Sequence, residues 1–146
     1  MRYYRDFQVG DRILTRGRTV TEADIVMYAA LSGDWYPLHV DAEYAKGTPF
    51  GERVAHGLLI VSMAFGLMPL SDMAILAVSE IEKIKFHSPS RIGDTIHVEM
   101  EILEKSEKDQ KEGLITAKIM IINQRTEKVT TAILKMLLTD IDPCRQ

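Results

Sequence analysis

The sequence predicts an α+β fold in which one antiparallel β-sheet curls round a single apolar α-helix. Residues 57–68 read Gly-Leu-Leu-Ile-Val-Ser-Met-Ala-Phe-Gly-Leu-Met, and a helix apolar nearly all round must be wrapped by other structure. The later part of the chain alternates apolar and polar residues with period two in three successive segments, the pattern of half-buried strands. The order of elements is a strand, a helix, a long loop, the apolar helix, then four or so strands. A curled sheet is the simplest wrapping that this order allows.

Each element has its own local reason. Phe7-Gln8-Val9-Gly10-Asp11 reads as a turn into a short strand around Arg12–Thr19. Thr21 followed by Asp24 resembles a capping box, with Asp in place of the usual Glu or Gln. A helix from about Glu22 to Leu31 follows, with Ala23, Val26, Met27, Ala30 and Leu31 at helical spacing, and Ser32-Gly33 ends it. Residues 33–55 hold Gly33, Pro37, Gly47, Pro49 and Gly51, so most of this stretch is loop, with one short helical turn at Asp41–Lys46. Pro69 closes the apolar helix, and a second apolar patch lies at Met73–Val78. Ile81, Ile84 and Phe86 belong to a strand that meets the Gly93-Asp94 turn. Ile96, Val98, Met100 and Ile102 form one inward series, Ile115, Ala117, Ile119 and Ile121 a second, and Ala132, Leu134, Met136 and Leu138 a third. Asn123–Lys128 is a polar turn that pairs the last two as a hairpin. Glu104–Glu112 is a charged run placed at a hairpin tip.

Composition narrows the function classes. A chain of 146 residues, 46% hydrophobic and 27% charged, is expected to form a single soluble domain over residues 1–146. A net charge of −3 with no Lys/Arg stripe argues against nucleic acid as a partner. Cys144 is the only cysteine, so no disulfide framework is expected. The polar start, Met1-Arg2-Tyr3-Tyr4-Arg5-Asp6, is unlike a signal peptide, and no apolar run reaches the roughly 18 residues of a membrane span. The expectation is a cytoplasmic protein with no membrane partner.

The chemistry concentrates in one stretch. Residues 34–39 are Asp-Trp-Tyr-Pro-Leu-His, and Ala55-His56-Gly57 opens the apolar helix. A carboxylate and an imidazole five positions apart, together with backbone N–H groups at a helix N-terminus, are the parts needed to move a proton beside a polarised carbonyl. Each has a plainer reading: Asp34 as a turn residue capping a backbone N–H, His39 as a packed loop histidine, Gly57 as a glycine required where helix and sheet pack closely.

Ser32-Gly33-Asp34-Trp35-Tyr36-Pro37-Leu38-His39-Val40-Asp41, then Glu43-Tyr44-Ala45, Phe50-Gly51, His56-Gly57 and Ile92-Gly93-Asp94-Thr95 resemble the motifs of the MaoC-like dehydratases, which include the (R)-specific enoyl-CoA hydratases. The likeness runs from about Phe7 to Leu138. It implies the hot-dog fold, a homodimer whose sheets join edge to edge, and active sites near that interface. It implies reversible addition of water to an enoyl thioester, in the setting of fatty acid metabolism, with Asp34 and His39 catalytic. Gly57 becomes the candidate oxyanion donor. The resemblance implies no metal or redox cofactor; coenzyme A or an acyl carrier would enter only as part of the substrate. One departure stands out: the family's Asn is here Tyr36, a longer and bulkier donor and acceptor.

Around this core, Trp35 and Tyr36 are candidates for the wall of the acyl pocket. His56 is expected to bond a backbone group at the helix entrance, with lining of the thioester pocket as the alternative, and Asp41 to cap the short turn after it. Asp34, His39 and His56 match no closed zinc spacing. His87 and His97 are assigned to strand surfaces, and Lys83, Lys85 and Arg91 to a solvated edge, with contact to the phosphates of a carrier as the alternative. Two other functions fit the fold. One is a thioesterase, which the absence of Asp or Glu from Gly57–Met68 disfavours; the other is a non-catalytic acyl-thioester binder, for which Tyr36 speaks.

Overall fold

The computed structural model describes residues 1–141; Cys144, on which the cysteine reading rests, lies outside them. At the centre is the apolar helix, and a six-stranded antiparallel sheet packs round it. In chain order the elements are β1 (Arg12–Leu14), β2 (Arg18–Thr19), α1 (Glu22–Ser32), α2 (Pro37–Val40), α3 (Ala42–Lys46), α4 (Gly57–Leu67), β3 (Ile75–Phe86), β4 (Thr95–Glu107), β5 (Glu112–Asn123) and β6 (Lys128–Thr139). The strand order is β1-β4-β5-β6-β3, with β2 also paired to β4. This is the hot-dog fold.

The period-two series face the helix as expected. Ile96, Val98, Met100 and Ile102 of β4, Ile115, Ala117, Ile119 and Ile121 of β5, and Ala132, Leu134, Met136 and Leu138 of β6 are all buried. Leu59, Ile60, Met63 and Ala64 of α4 belong to the same core. The Thr21–Asp24 capping box is formed: Thr21 Oγ1 accepts the Asp24 N–H at 3.2 Å and Asp24 Oδ2 accepts the Thr21 N–H at 2.8 Å. Gly33 ends α1 in the left-handed region at φ 78°, its N–H donating to the Ala29 carbonyl, a conformation that glycine adopts without a Cβ clash.

Four expectations are corrected. The first strand is two: β1 pairs Leu14 with Glu99 and β2 pairs Arg18 with Ile96, so this side carries one extra residue and bulges at Thr15–Gly17. The loop after α1 contains a second helical turn, α2, with Pro37 at its first position, where proline's fixed φ suits a helix and no N–H is missed. Of the charged run Glu104–Glu112, only residues 108–111 form the tip; the rest extends β4 and β5. Finally, α4 keeps one open stripe. Leu58, Ser62 and Gly66, spaced four apart, are exposed, Leu58 by 56%, because a sheet that cradles a helix leaves the stripe opposite it uncovered. Among the described residues, no helix is long and apolar enough to cross a membrane.

Candidate active site

The end of α1, the turn α2 and the start of α4 meet at one place. Gly33 reverses the chain and hands it to Asp34, whose Oδ1 accepts the Tyr36 N–H at 3.2 Å. That is the turn-capping role of its plainer reading, and it leaves Oδ2 free of the bond. Pro37 then starts α2, which carries His39. His39 Nδ1 lies 2.7 Å from the Val54 carbonyl oxygen. A carbonyl only accepts, so Nδ1 carries the hydrogen and, in the neutral ring, Nε2 presents the lone pair. Val54 is itself pinned: it bridges to Arg91, and the next N–H, Ala55, donates to the Ser90 carbonyl at 2.8 Å.

His56 completes the arrangement from the helix side. It is 3% exposed, and its Nε2–H donates to the Asp34 backbone carbonyl at 3.0 Å, the backbone bond expected of it. Its ring also stacks on His39, with centroids 3.8 Å apart, and meets Tyr28 at 4.9 Å. One carboxylate oxygen of Asp34 and one nitrogen each of His39 and His56 lie within 4.8 Å of one another. Each ring gives one nitrogen to a backbone carbonyl and keeps the other, His39 Nε2 and His56 Nδ1, free of that bond in a cluster that includes the Asp34 carboxylate, an arrangement that can hold or move a proton.

No side chain caps α4. His56 stands at the N-cap position, but its ring serves Asp34, and the helical ladder begins with the Ile60 N–H to the His56 carbonyl at 3.2 Å. The earlier N–H groups, Gly57's among them, have no partner within the helix and lie at its positive end. Gly57 also has the packing reason: a Cβ there would lie 2.6 Å from Phe86 Cε1. The packing reading of this glycine is met in the fold.

Asp34, His39, His56 and Gly57 line one cavity of about 540 Å³, a size that suits a small-molecule site. Trp35 and Tyr36 do not line it; they are 53% and 52% exposed. The turn into α2 sends Trp35 and Tyr36 outward, correcting the expectation that both wall the pocket. Tyr36 instead bonds the Tyr44 hydroxyl at 3.1 Å and meets the His39 ring edge-on at 6.1 Å. That hydrogen bond holds the Tyr44 phenol above its ordinary pKa. Asp41 caps α3 through the Glu43 and Tyr44 N–H groups, as expected.

The cavity also draws on residues that sequence reasoning passed over: Tyr28, Phe86, Ser90 and Thr130. Thr130 left a signal, a hydroxyl in the inward series of β6 that continues as Ala132, Leu134, Met136 and Leu138. His87 lies just past β3 in the cavity wall rather than on a strand, its Nε2 2.8 Å from Thr131 Oγ1. Arg91 is held by Glu52 at 2.6 Å, while Lys83 and Lys85 are exposed on β3.

Residues 6–124 match the MaoC like domain family. Protein MaoC of Klebsiella aerogenes is 40% identical over 111 residues, which cover 75% of this chain and 33% of that protein. An (R)-specific enoyl-CoA hydratase of Rhodospirillum rubrum is 33% identical over 96 residues, 66% of this chain and 66% of the hydratase. This chain therefore spans only a third of the first relative's length. A crystal structure described as a monoamine oxidase regulatory protein from Archaeoglobus fulgius superposes with a TM-score of 0.89 at 38% identity, covering 95% of both chains.

Proposed function

We propose that this chain, which belongs to the MaoC-like domain family, is a hydratase that adds water reversibly to an enoyl thioester, converting an enoyl-CoA to an (R)-3-hydroxyacyl-CoA. One observation carries the reading: a carboxylate, an imidazole with a free Nε2 and an uncapped helix N-terminus converge on a single cavity.

Hydration needs a base for the water, a proton for the α-carbon and a counter-charge for the thioester oxygen. His39 Nε2 takes the proton from water as its oxygen bonds to the β-carbon. Asp34 orients that water and serves the α-carbon, so that one proton enters the pair and one leaves it in each turnover. The enolate-like charge that passes through the thioester oxygen faces the Gly57 N–H at the positive end of α4. Hydration is redox-neutral, and these groups supply its acid, base and electrophile. The reading therefore calls for coenzyme A or a carrier only as part of the substrate. It includes a homodimer joined along β3, an edge of the sheet on which Leu76, Val78 and Ile81 are exposed.

The test is loss of enoyl-thioester absorbance with crotonyl-CoA and longer enoyl-CoAs, with a thiol reagent in parallel and Asp34→Asn and His39→Gln alongside. Hydration that disappears in both variants without thiol release is the expected result. Release of thiol would replace the hydratase with a thioesterase, and inertness toward every enoyl-CoA would leave a binding protein.

A further inference from the structure

Among the described residues, three side-chain polar atoms are fully buried without a hydrogen-bond partner in the protein: His56 Nδ1, Ser90 Oγ and Thr130 Oγ1. All three residues line the same cavity. A buried hydroxyl or ring nitrogen left unmatched is costly, so each needs a partner that the protein does not supply, an ordered water or a bound ligand. Three of them round one pocket place that need at a single site.

Ser90 and Thr130 are 3% and 1% exposed and come from different elements of the chain. Ser90 sits on the segment between β3 and β4, fixed by its carbonyl, which accepts the Ala55 N–H at 2.8 Å. Thr130 sits on β6, where the register places it between Phe86 of β3 and Ile121 of β5. It also borders a small apolar gap beside Val61 and Phe65 of α4, so it marks the cavity wall toward the core. The surrounding wall is largely apolar, with Ile60, Phe86 and Val129. A plain alkyl chain would cover that wall yet leave both hydroxyls unmatched. No Lys or Arg lines the cavity among the described residues, and the Asp34 carboxylate does, so a carboxylate on the guest meets no permanent cation there. A neutral oxygen fits, since a hydroxyl both donates and accepts.

We propose that Ser90 and Thr130 form a polar subsite in this cavity that selects acyl thioesters carrying a neutral oxygen, a ketone or hydroxyl, on the acyl chain beyond the reacting carbons. The inference rests on the hydratase reading for its reaction, though not for its binding.

The experiment compares enoyl-CoAs bearing a ketone at C5, C6 or C7 with their methyl-branched isosteres, on the wild type, Ser90→Ala and Thr130→Val. The expected wild-type result is at least a tenfold higher kcat/KM for one ketone over its isostere, with that ratio falling to near one or below in the variants. Equal or lower activity on every ketone, with the same ratio in wild type and variants, overturns the subsite. Thermal unfolding without ligand gives a second readout: Thr130→Val removes an unmatched hydroxyl and should hold or raise Tm, whereas a clear drop would show that the hydroxyl already has a structural partner. If no enoyl-CoA is hydrated at all, calorimetric binding of the saturated ketoacyl-CoAs against their branched isosteres decides. A ketone preference that the variants lose supports the subsite though the hydratase fails, and no preference removes both.

Discussion

The imidazole of His39 lies face to face with that of His56, with centroids 3.8 Å apart and planes 27° from parallel. His56 thereby touches both members of the candidate pair, stacking on one and bonding the backbone of the other through Asp34's carbonyl. His39 is half-buried on a four-residue helical turn and His56 is buried at the head of α4. The stack therefore ties a short, half-buried segment to the core, and precise placement is what proton transfer requires.

His56→Ala should accordingly lower kcat on the order of 10²-fold, the cost of a misplacement of about 1 Å, with KM changed far less. His56→Gln keeps a donor for the Asp34 carbonyl but loses the stacked ring, and should recover part of the loss. Steady-state kinetics beside thermal unfolding separates this from simple destabilisation. Equal kcat in all three proteins would remove the positioning role.

Gly57 and Phe86 make a second, separable pair. In Gly57→Ala the new methyl would meet the Phe86 ring at 2.6 Å, but that ring is 56% exposed and has room to swing out. The helix gains the propensity of alanine, up to about 1 kcal/mol, so stability should change by no more than about 1 kcal/mol either way. The backbone N–H survives, but the added methyl crowds the place beside it where a thioester oxygen would sit. Activity should therefore fall by at most about 10²–10³-fold, the cost of losing an oxyanion donor outright. The double variant with Phe86→Ala relieves the contact; if it regains full activity, the glycine serves packing alone.

What the sequence disclosed and what it withheld follow the range of the interactions. The inward series of β4, β5 and β6, the Thr21–Asp24 box and the Asp41 cap are written in residues a few positions apart. That Asp34, His39 and Gly57 meet at one place was legible because their motif is local and specific. The cavity wall was not. Trp35 and Tyr36 flank Asp34 in the chain, yet the turn at Pro37 sends them outward, whereas Tyr28, Ser90 and Thr130 arrive from α1, a loop and β6. Neither composition nor periodicity says which helix face meets which strand end.

Asp94 gives the fold an acid limit. It is 4% exposed, and burial pushes its carboxyl up. The bonds from Arg125, from the Arg91 N–H and from Gln124, with the Arg125 charge, together outweigh that and hold it below the ordinary aspartate value. A folded-state pKa that is depressed contributes stability fully above the unfolded value, near 3.9, and loses it as pH falls through the folded value. Asp94→Asn should therefore cost about 1.5–3 kcal/mol at pH 7, as for hydrogen bonds to a charged group, and the gap to wild type should close progressively below about pH 4. Urea unfolding at pH 7, 5 and 3 measures it; a gap that stays constant would mean that the charge is not what stabilises the turn.

The edge strand β3 sets the expected assembly. It runs for 12 residues with Leu76, Val78 and Ile81 exposed, and a long apolar edge invites pairing with another chain unless it is blunted. The register with β6 shifts at three points, between Ile75 and Ala77, Val78 and Glu80, and Glu82 and Lys85. At the last of them Lys83 takes a positive φ of 52°, so a bulge carrying Lys83 and bounded by Lys85 blunts that end most. The half from Ile75 to Ile81 keeps its exposed apolar side chains and is the expected seat of a second copy. Val78→Lys should weaken self-association on the order of 10²-fold or more, since burying an unpaired ammonium in an interface is costly, while Lys83→Glu should leave it unchanged. Sedimentation velocity across a concentration series reads both. A Val78→Lys protein that remains dimeric would place the interface elsewhere, and a Lys83→Glu protein that falls to monomer would move it to the bulged end.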